Sequence, residues 1–494
     1  NGLPVLFALL VGLSVLLGFV GLWRLSATED LVEARLRAYG GAGAAVDAKA
    51  AGAPEQRFAG LKGMPTVGWD TVTVPGAVHA WITLSKRLGK LPFADLFEPA
   101  IAYAEHGYPV SPITARRWQE AQAHYPNFAE INRTFFPGGR APRPGETFRC
   151  PELAATLGAI ADSRGEAFYR GALAQAMVDD ARAHGALHTL ADFAGHAVEW
   201  VAPLGLDWQG VRVHELPPNG QGVAALMALG MLSHLDVASL PADSVASHHL
   251  QIEAMKLAFA DAHRYVADPG AMEVPANALL DPAYLAERAR RIDPARAQDF
   301  GPGEPPSGGT VYVAAADARG TMVSLIQSNY MGFGSGVVVP GTGISLQNRG
   351  AGFSFDPASA NCVGPGKRPF HTIIPAFLMS DGQPQMSFGV MGGNMQPQAH
   401  VQTLARMLLA CEQPQAACDA PRWKWDSGLK VDIEPTMPPA VRDELERRGH
   451  TVARVEDSYM DYGSGQFVWR LGEPAVDGYV AASDSRRDGL AAGF

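Results

Sequence analysis

Cysteine is scarce in this chain: there are four in 494 residues, and none of Cys150, Cys362, Cys411 and Cys418 stands in a paired CxxC spacing. They prescribe neither a metal site nor a redox compartment. Positive charge is also short, 40 Lys and Arg against 50 Asp and Glu for a formal charge of −10, with no long basic block. The electrostatic footprint of a nucleic-acid binder is therefore missing, and a small molecule is the expected partner. No GxSxG elbow and no P-loop occur, which removes the commonest serine-hydrolase and nucleotide-binding readings. Gly41-Ala42-Gly43 imitates the opening of a dinucleotide fingerprint, but helix-like sequence precedes it where a strand is required. His184 and His188 have helical spacing without the glutamate of a HExxH site, and His248 and His249 are adjacent, so no metal ligand set is expected. Internal repeats are absent.

What is present is ordinary globular material, 47% apolar and 18% charged, enough to bury a substantial core. Length suggests two or three domains, though large sandwich folds run as one unit. Leu3 to Trp23 is a charge-free stretch ending at Arg24 and is long enough for a membrane anchor; Gly12, Gly18 and Gly21 also divide it into runs of buried-strand length. Both readings stay open, and with them the compartment.

Periodicity predicts a helix followed by an Ala/Gly-rich passage over residues 26–53, a strand at Thr71–Gly76, helices at Ala77–Leu88, Phe93–His106 and Pro151–Ala161, and a long helix over Val245–Ala267. In the last, Leu250, Ala254, Leu257, Ala258 and Tyr265 share one face with Asp261, a structural acid that needs a partner if buried. Residues 300–309 (FGPGEPPSGG) then form a Pro/Gly loop. Immediately after it, Thr310–Ala316 and Thr321–Gln327 read as a β-hairpin across the Asp317–Gly320 turn. Strands at Ile373–Met379 and Gln385–Val390 are separated by a turn that includes Ser380-Asp381-Gly382, and a helix over 396–410 follows Gly392-Gly393. Hairpins followed by helices imply a sheet covered by helices.

Thr310 stands directly after the loop and heads a strand. An interior threonine is inert. Cutting the Gly309–Thr310 bond would give it an α-amino group with a pKa of about 7.7–8.0, able to act as general base for its own hydroxyl. Most threonines that open strands are only structural.

The chain resembles the γ-glutamyltransferase superfamily along nearly its whole length. The matching segments, in order, are Thr71–Pro112, Leu216–Gly222 (LPPNGQG), Glu253–Pro269, Gly309–Ser324, Pro365–Pro375 (PGKRPFHTIIP), Gly389–Asn394 (GVMGGN) and Ala482–Phe494 (ASDSRRDGLAAGF). The resemblance implies a four-layer αββα sandwich of the N-terminal-nucleophile hydrolase type, formed by one precursor that cuts itself between Gly309 and Thr310. Residues 1–309 would be the large-subunit region, starting partway into the family fold, and 310–494 the small one, the two associating as a single composite body.

By the same resemblance Thr310 is the nucleophile, Ser328 the second hydroxyl that hydrogen-bonds it, and the Gly392 and Gly393 N–H groups the oxyanion hole. Arg24, Asn348, His371 and Thr372 fall at substrate-binding positions; Arg24 suits a carboxylate because its planar fork donates two charge-assisted bonds. The implied reaction is hydrolysis or transfer of γ-glutamyl-type acyl groups from glutathione-like amides, with water or an amino acid as acceptor and neither metal nor organic cofactor.

Several positions depart from the family pattern. No carboxylate stands at the end of Ile344–Phe353 (ISLQNRGAGF), where the acid gripping the α-amino group is expected; His371-Thr372 replaces a pair of serines; Tyr330 replaces an asparagine, beside Asn329. A glutaryl or cephalosporin-type acylase on the same scaffold is the alternative these departures suggest. An unprocessed, non-catalytic binding protein is the alternative of a different class.

Overall fold

The computed structural model describes residues 57–58, 60–301, 309–455 and 462–493. Arg24, the apolar stretch 3–23, the expected helix after residue 26 and most of the Pro/Gly loop lie outside these residues. Among the described residues, no helix is long and apolar enough to cross a membrane.

Residues 77–183 are mostly helical, beginning with Ala77–Leu88 as the periodicity predicts. The expected helix 93–106 resolves into a 3₁₀ turn, Ala94–Leu96, and a separate helix, Glu98–His106. Pro99 lies in the first turn of the latter, where its missing N–H costs no intrahelical bond. Pro151 likewise opens the helix Pro151–Ser163.

Thr71–Gly76 is not a strand: it runs from the 3₁₀ turn Trp69–Thr71 into unpaired backbone. The Thr71 hydroxyl donates to the Gly68 carbonyl at 2.8 Å, and the Thr73 carbonyl accepts from the Gln347 side chain at 2.8 Å. Side-chain partners replace the ladder that a β-branched segment would otherwise seek.

Eight strands position the site: β1 (Leu204–Trp208), β2 (Val211–Glu215), β3 (Gly309–Ala316), β4 (Met322–Tyr330), β5 (Ala376–Ser380), β6 (Gln383–Met391), β7 (Ser464–Arg470) and β8 (Tyr479–Ser483). Six of them form one antiparallel sheet in the order β8-β7-β6-β5-β2-β1. The hairpin β3–β4 forms a second sheet against it. The Tyr312 ring of β3 lies against the bare Gly389 backbone of β6, and the Ser324 hydroxyl of β4 donates to the Phe388 carbonyl at 3.3 Å.

Helices Gly222–Leu232, Val245–Tyr265 and Met395–Leu409 join β1, β2, β5 and β6 in one continuous apolar core. Every residue of Gly222–Leu232 is buried, and its sequence is apolar on all sides, so it has no face to offer water. Leu229→Ala there would cost about 2–5 kcal/mol through lost burial and the cavity left behind.

Buried polar groups tie the layers together. His400 accepts from the Val390 N–H through Nε2 at 3.2 Å, which leaves Nδ1 to donate to Glu215 at 2.7 Å, linking the Met395–Leu409 helix to β6 and β2. Asp261 has the partners its burial demands, the Tyr284 hydroxyl at 2.9 Å and the Arg288 guanidinium at 2.8 Å, which is the structural role expected of it.

Candidate active site

Hairpin geometry sets the position of Thr310. The Asp317 carboxylate accepts from the Arg319 and Thr321 N–H groups, both at 3.0 Å, and so closes the turn between β3 and β4. The resulting register places Thr310 opposite Ser328, with an irregularity at Gly309. Thr310, partly accessible, donates its hydroxyl to Ser328 Oγ at 3.0 Å, and Ser328 Oγ also accepts from the Tyr330 N–H at 2.8 Å. The two hydroxyls that the sequence set eighteen residues apart are thus in contact.

Beyond the end of β6 the chain turns sharply into the Met395–Leu409 helix. Gly392 has φ 131° and Gly393 φ 62°. At Gly392 a side chain would also meet the Gly463 Cα at 2.9 Å, so no other residue fits without a shift. Their carbonyls start the helix, accepting from the N–H groups of Met395 at 3.1 Å and Gln396 at 3.2 Å. Their own N–H groups have no acceptor among the described residues. Unpaired donors at the positive end of a helix form an anion-binding arrangement.

Thr372 is fully buried and coupled to this turn: Gln221 Nε2 donates to the Thr372 carbonyl at 2.7 Å and to the Gly393 carbonyl at 2.9 Å. The Thr372 hydroxyl accepts from Arg349 Nη1 at 2.7 Å. His371 Nδ1 accepts from the Ile373 N–H at 3.3 Å, and enclosure of the ring together with the Arg349 charge holds its pKa well below the usual histidine value. Asn348 is completely buried; it accepts from the Met331 N–H at 3.2 Å and donates to the Thr66 carbonyl at 2.7 Å, so both ends of its amide bind backbone and shape the loop.

Two residues that the sequence reading passed over join this group. Gln221 lies within the LPPNGQG segment, whose resemblance gave it no role. Arg349 lies in the stretch read for Asn348 and for its missing acid, and its guanidinium sits 4.6 Å from the centre of the Tyr330 ring. Tyr330 has φ 76°, a left-handed conformation that costs a non-glycine residue about 1–3 kcal/mol.

Elsewhere, His249, Glu253 and His450 place three potential ligand atoms within 4.8 Å of one another, the one such group among the described residues. The Lys256 ammonium lies 2.7 Å from Glu253 and 3.5 Å from His450, so the cluster already holds its own cation. A groove of about 890 Å³ lined by Trp208, Arg212 and Asp381 lies at the β1–β2 edge, and none of the residues around Thr310 lines it. At Thr310, by contrast, a hydroxyl pair is set on β3–β4, and the N–H groups that follow β6 have no acceptor among the described residues.

Helices packed on a six-stranded sheet that faces a hairpin headed by threonine define an αββα sandwich of the N-terminal-nucleophile hydrolase type. The Gamma-glutamyltranspeptidase family model matches residues 32–494, and the chain belongs to that family. It is 36% identical over 452 residues to the glutathione hydrolase-like YwrD proenzyme of Bacillus subtilis (88% of this chain, 83% of that protein). It is 37% identical over 469 residues to the oxamate amidohydrolase proenzyme of Klebsiella pneumoniae (91% and 87%). Among solved structures, the cephalosporin acylase of Bacillus halodurans superposes with a TM-score of 0.83 at 43% identity, covering 96% of this chain and 84% of that one. The chain is an enzyme of the family's hydrolase and acylase kind.

Proposed function

We propose that the chain is a self-processing amidohydrolase or acyltransferase whose nucleophile is Thr310, freed by cleavage after Gly309. The observation that carries this reading is the 3.0 Å bond between the Thr310 and Ser328 hydroxyls at the head of β3. Cleavage converts the Thr310 amide nitrogen into an amine that can take the hydroxyl proton as Oγ1 attacks the acyl carbon of an amide. The Gly392 and Gly393 N–H groups receive the oxyanion, the amine passes the proton to the leaving nitrogen, and an ester on Thr310 remains. Water or an amino-acid acceptor then takes the acyl group.

Cleavage would divide the protein into residues 1–309 and 310–494. Pairing of β2 with β5, Val213 opposite Leu378, supports their staying together, because the central sheet draws strands from both sides of the cut. The acyl donor is a γ-glutamyl-type or related N-acyl amide. One observation favours the acylase-like end of that range: at Gly352, in the stretch that lacks an acid, a side chain would lie 2.7 Å from the Phe370 carbonyl, so this position takes no carboxylate side chain without a shift of the backbone. Intact mass spectrometry of the purified protein tests the reading. Two fragments meeting at Gly309 and Thr310, the smaller one labelled by an amide-mimicking electrophile, are expected; an uncut, unlabelled chain would mean a binding protein instead.

A further inference from the structure

Arg349 is 4% exposed, and its Nη1 donates to the Thr372 hydroxyl. Its Nε and Nη2, both buried, have no hydrogen-bond partner among the described residues. The Tyr330 ring lies 4.6 Å from the guanidinium carbon. Burial pushes its pKa down to about 9, with only the Tyr330 hydroxyl opposing, and none of its described contacts is a carboxylate. An arginine desolvated without a counter-ion is unfavourable on its own, and Nε with Nη2 is the edge that meets a carboxylate through two parallel bonds.

Arg349 also belongs to the site. It holds Thr372, which Gln221 ties to Gly393, and it stacks on Tyr330, whose N–H binds the Ser328 hydroxyl that contacts Thr310. The helical turn that carries it, Arg349–Gly352, offers no acid.

We infer that Arg349 is the specificity-determining residue of this site, receiving through Nε and Nη2 a carboxylate on the acyl part of the substrate, and that the preferred donors are monoamides of dicarboxylic acids. This rests on the reading of Thr310 as nucleophile and narrows its substrate class. A cation is not selected: an α-ammonium beside the carboxylate would face the guanidinium and find no acid in residues 349–352. A γ-glutamyl donor therefore gains nothing over a glutaryl one.

The test compares glutaryl, γ-glutamyl and pentanoyl p-nitroanilides on the processed enzyme. The wild type is expected to favour glutaryl over the uncharged pentanoyl group by on the order of 30-fold or more in kcat/KM, the range for a buried charge-assisted bond. Arg349→Met should collapse that ratio, mainly through KM, and Arg349→Lys should restore part of it, since lysine keeps the charge but loses the fork. Should Arg349→Met fail to fold, competition on the wild type decides: glutarate must inhibit where uncharged glutaramide does not. A wild-type ratio near one, an unchanged ratio in Arg349→Met, or equal inhibition by the two compounds would overturn the assignment. Intact mass separates the two levels. An uncut chain removes the nucleophile reading, and calorimetric binding of glutarate to that chain, lost in Arg349→Met, would still sustain the arginine's role, while its absence would end it.

Discussion

Two buried arginines of this protein live in opposite circumstances. Arg486, in the carboxyl-terminal segment, donates to Glu434 at 2.6 Å, to Asp484 at 3.1 Å and to the carbonyls of Cys418 and Ala420, both at 2.9 Å. Asp484 in turn accepts from Arg422 at 2.7 Å and from the Gly465 N–H of β7 at 2.9 Å. Those partners hold the Arg486 pKa above its ordinary value and the Asp484 carboxyl down to about 2. Arg349 is as deeply buried but its guanidinium has one hydroxyl partner among the described residues and a pKa lowered to about 9. A charge enclosed by its own counter-ions staples segments together; one left open on two nitrogens is kept for an ion that arrives from outside.

The contrast breaks first if the open end has no chemistry. Thr310→Ala should leave the chain uncut and abolish amide turnover altogether, read by intact mass and a chromogenic amide assay; normal turnover would remove the active site from this part of the fold. Next comes stability. Asp484→Ala leaves the buried Arg422 guanidinium without its carboxylate and Arg486 with Glu434 alone, and should cost about 3–5 kcal/mol in urea unfolding. Arg349→Met, in contrast, removes a charge with no counter-ion among the described residues and should cost less than about 1 kcal/mol or stabilise. Equal losses would mean that Arg349 is as structural as Arg486.

Acid titration sharpens the same difference. Asp484 is held to about 2 when folded and returns to about 3.9 when unfolded, so the unfolded chain binds the extra proton. Its contribution is complete above about pH 4 and is lost as pH falls toward 2, an effect of roughly 2–3 kcal/mol. Asp484→Asn should therefore show a flatter fall in unfolding free energy across that window. The smallest effect is that of Ser328→Ala, which removes one hydroxyl from Thr310 and should lower activity about tenfold while shifting Tm by only a few degrees. A large loss of stability would make Ser328 a packing residue.

Much of this was readable in advance where neighbours in sequence decide the outcome. The hairpin followed from Thr310–Ala316, a turn signal and a second β-branched run, and its register with Ser328 follows once the turn is fixed. The long helix was predicted as Val245–Ala267 and is Val245–Tyr265, with Asp261 buried on its apolar face as expected. Thr71–Gly76 misled because strand propensity says nothing about whether a partner strand lies beside it. The segment 482–494 was matched by resemblance alone, and nothing in it announced that Arg486 meets Glu434 or that Asp484 meets Arg422.

The sequence by itself determined the family, the head of a hairpin at Thr310, the Gly392-Gly393 break and the loss of an acid after Arg349. Only the tertiary structure decided that Gln221 bridges Thr372 and Gly393, 151 and 172 residues away, and that Arg349 is buried with no counter-ion among the described residues while Arg486 is surrounded by its own. Turn chemistry and strand register are set over a few residues, but burial and charge pairing depend on which distant segments the core brings together, and an arginine reads the same in sequence whatever surrounds it.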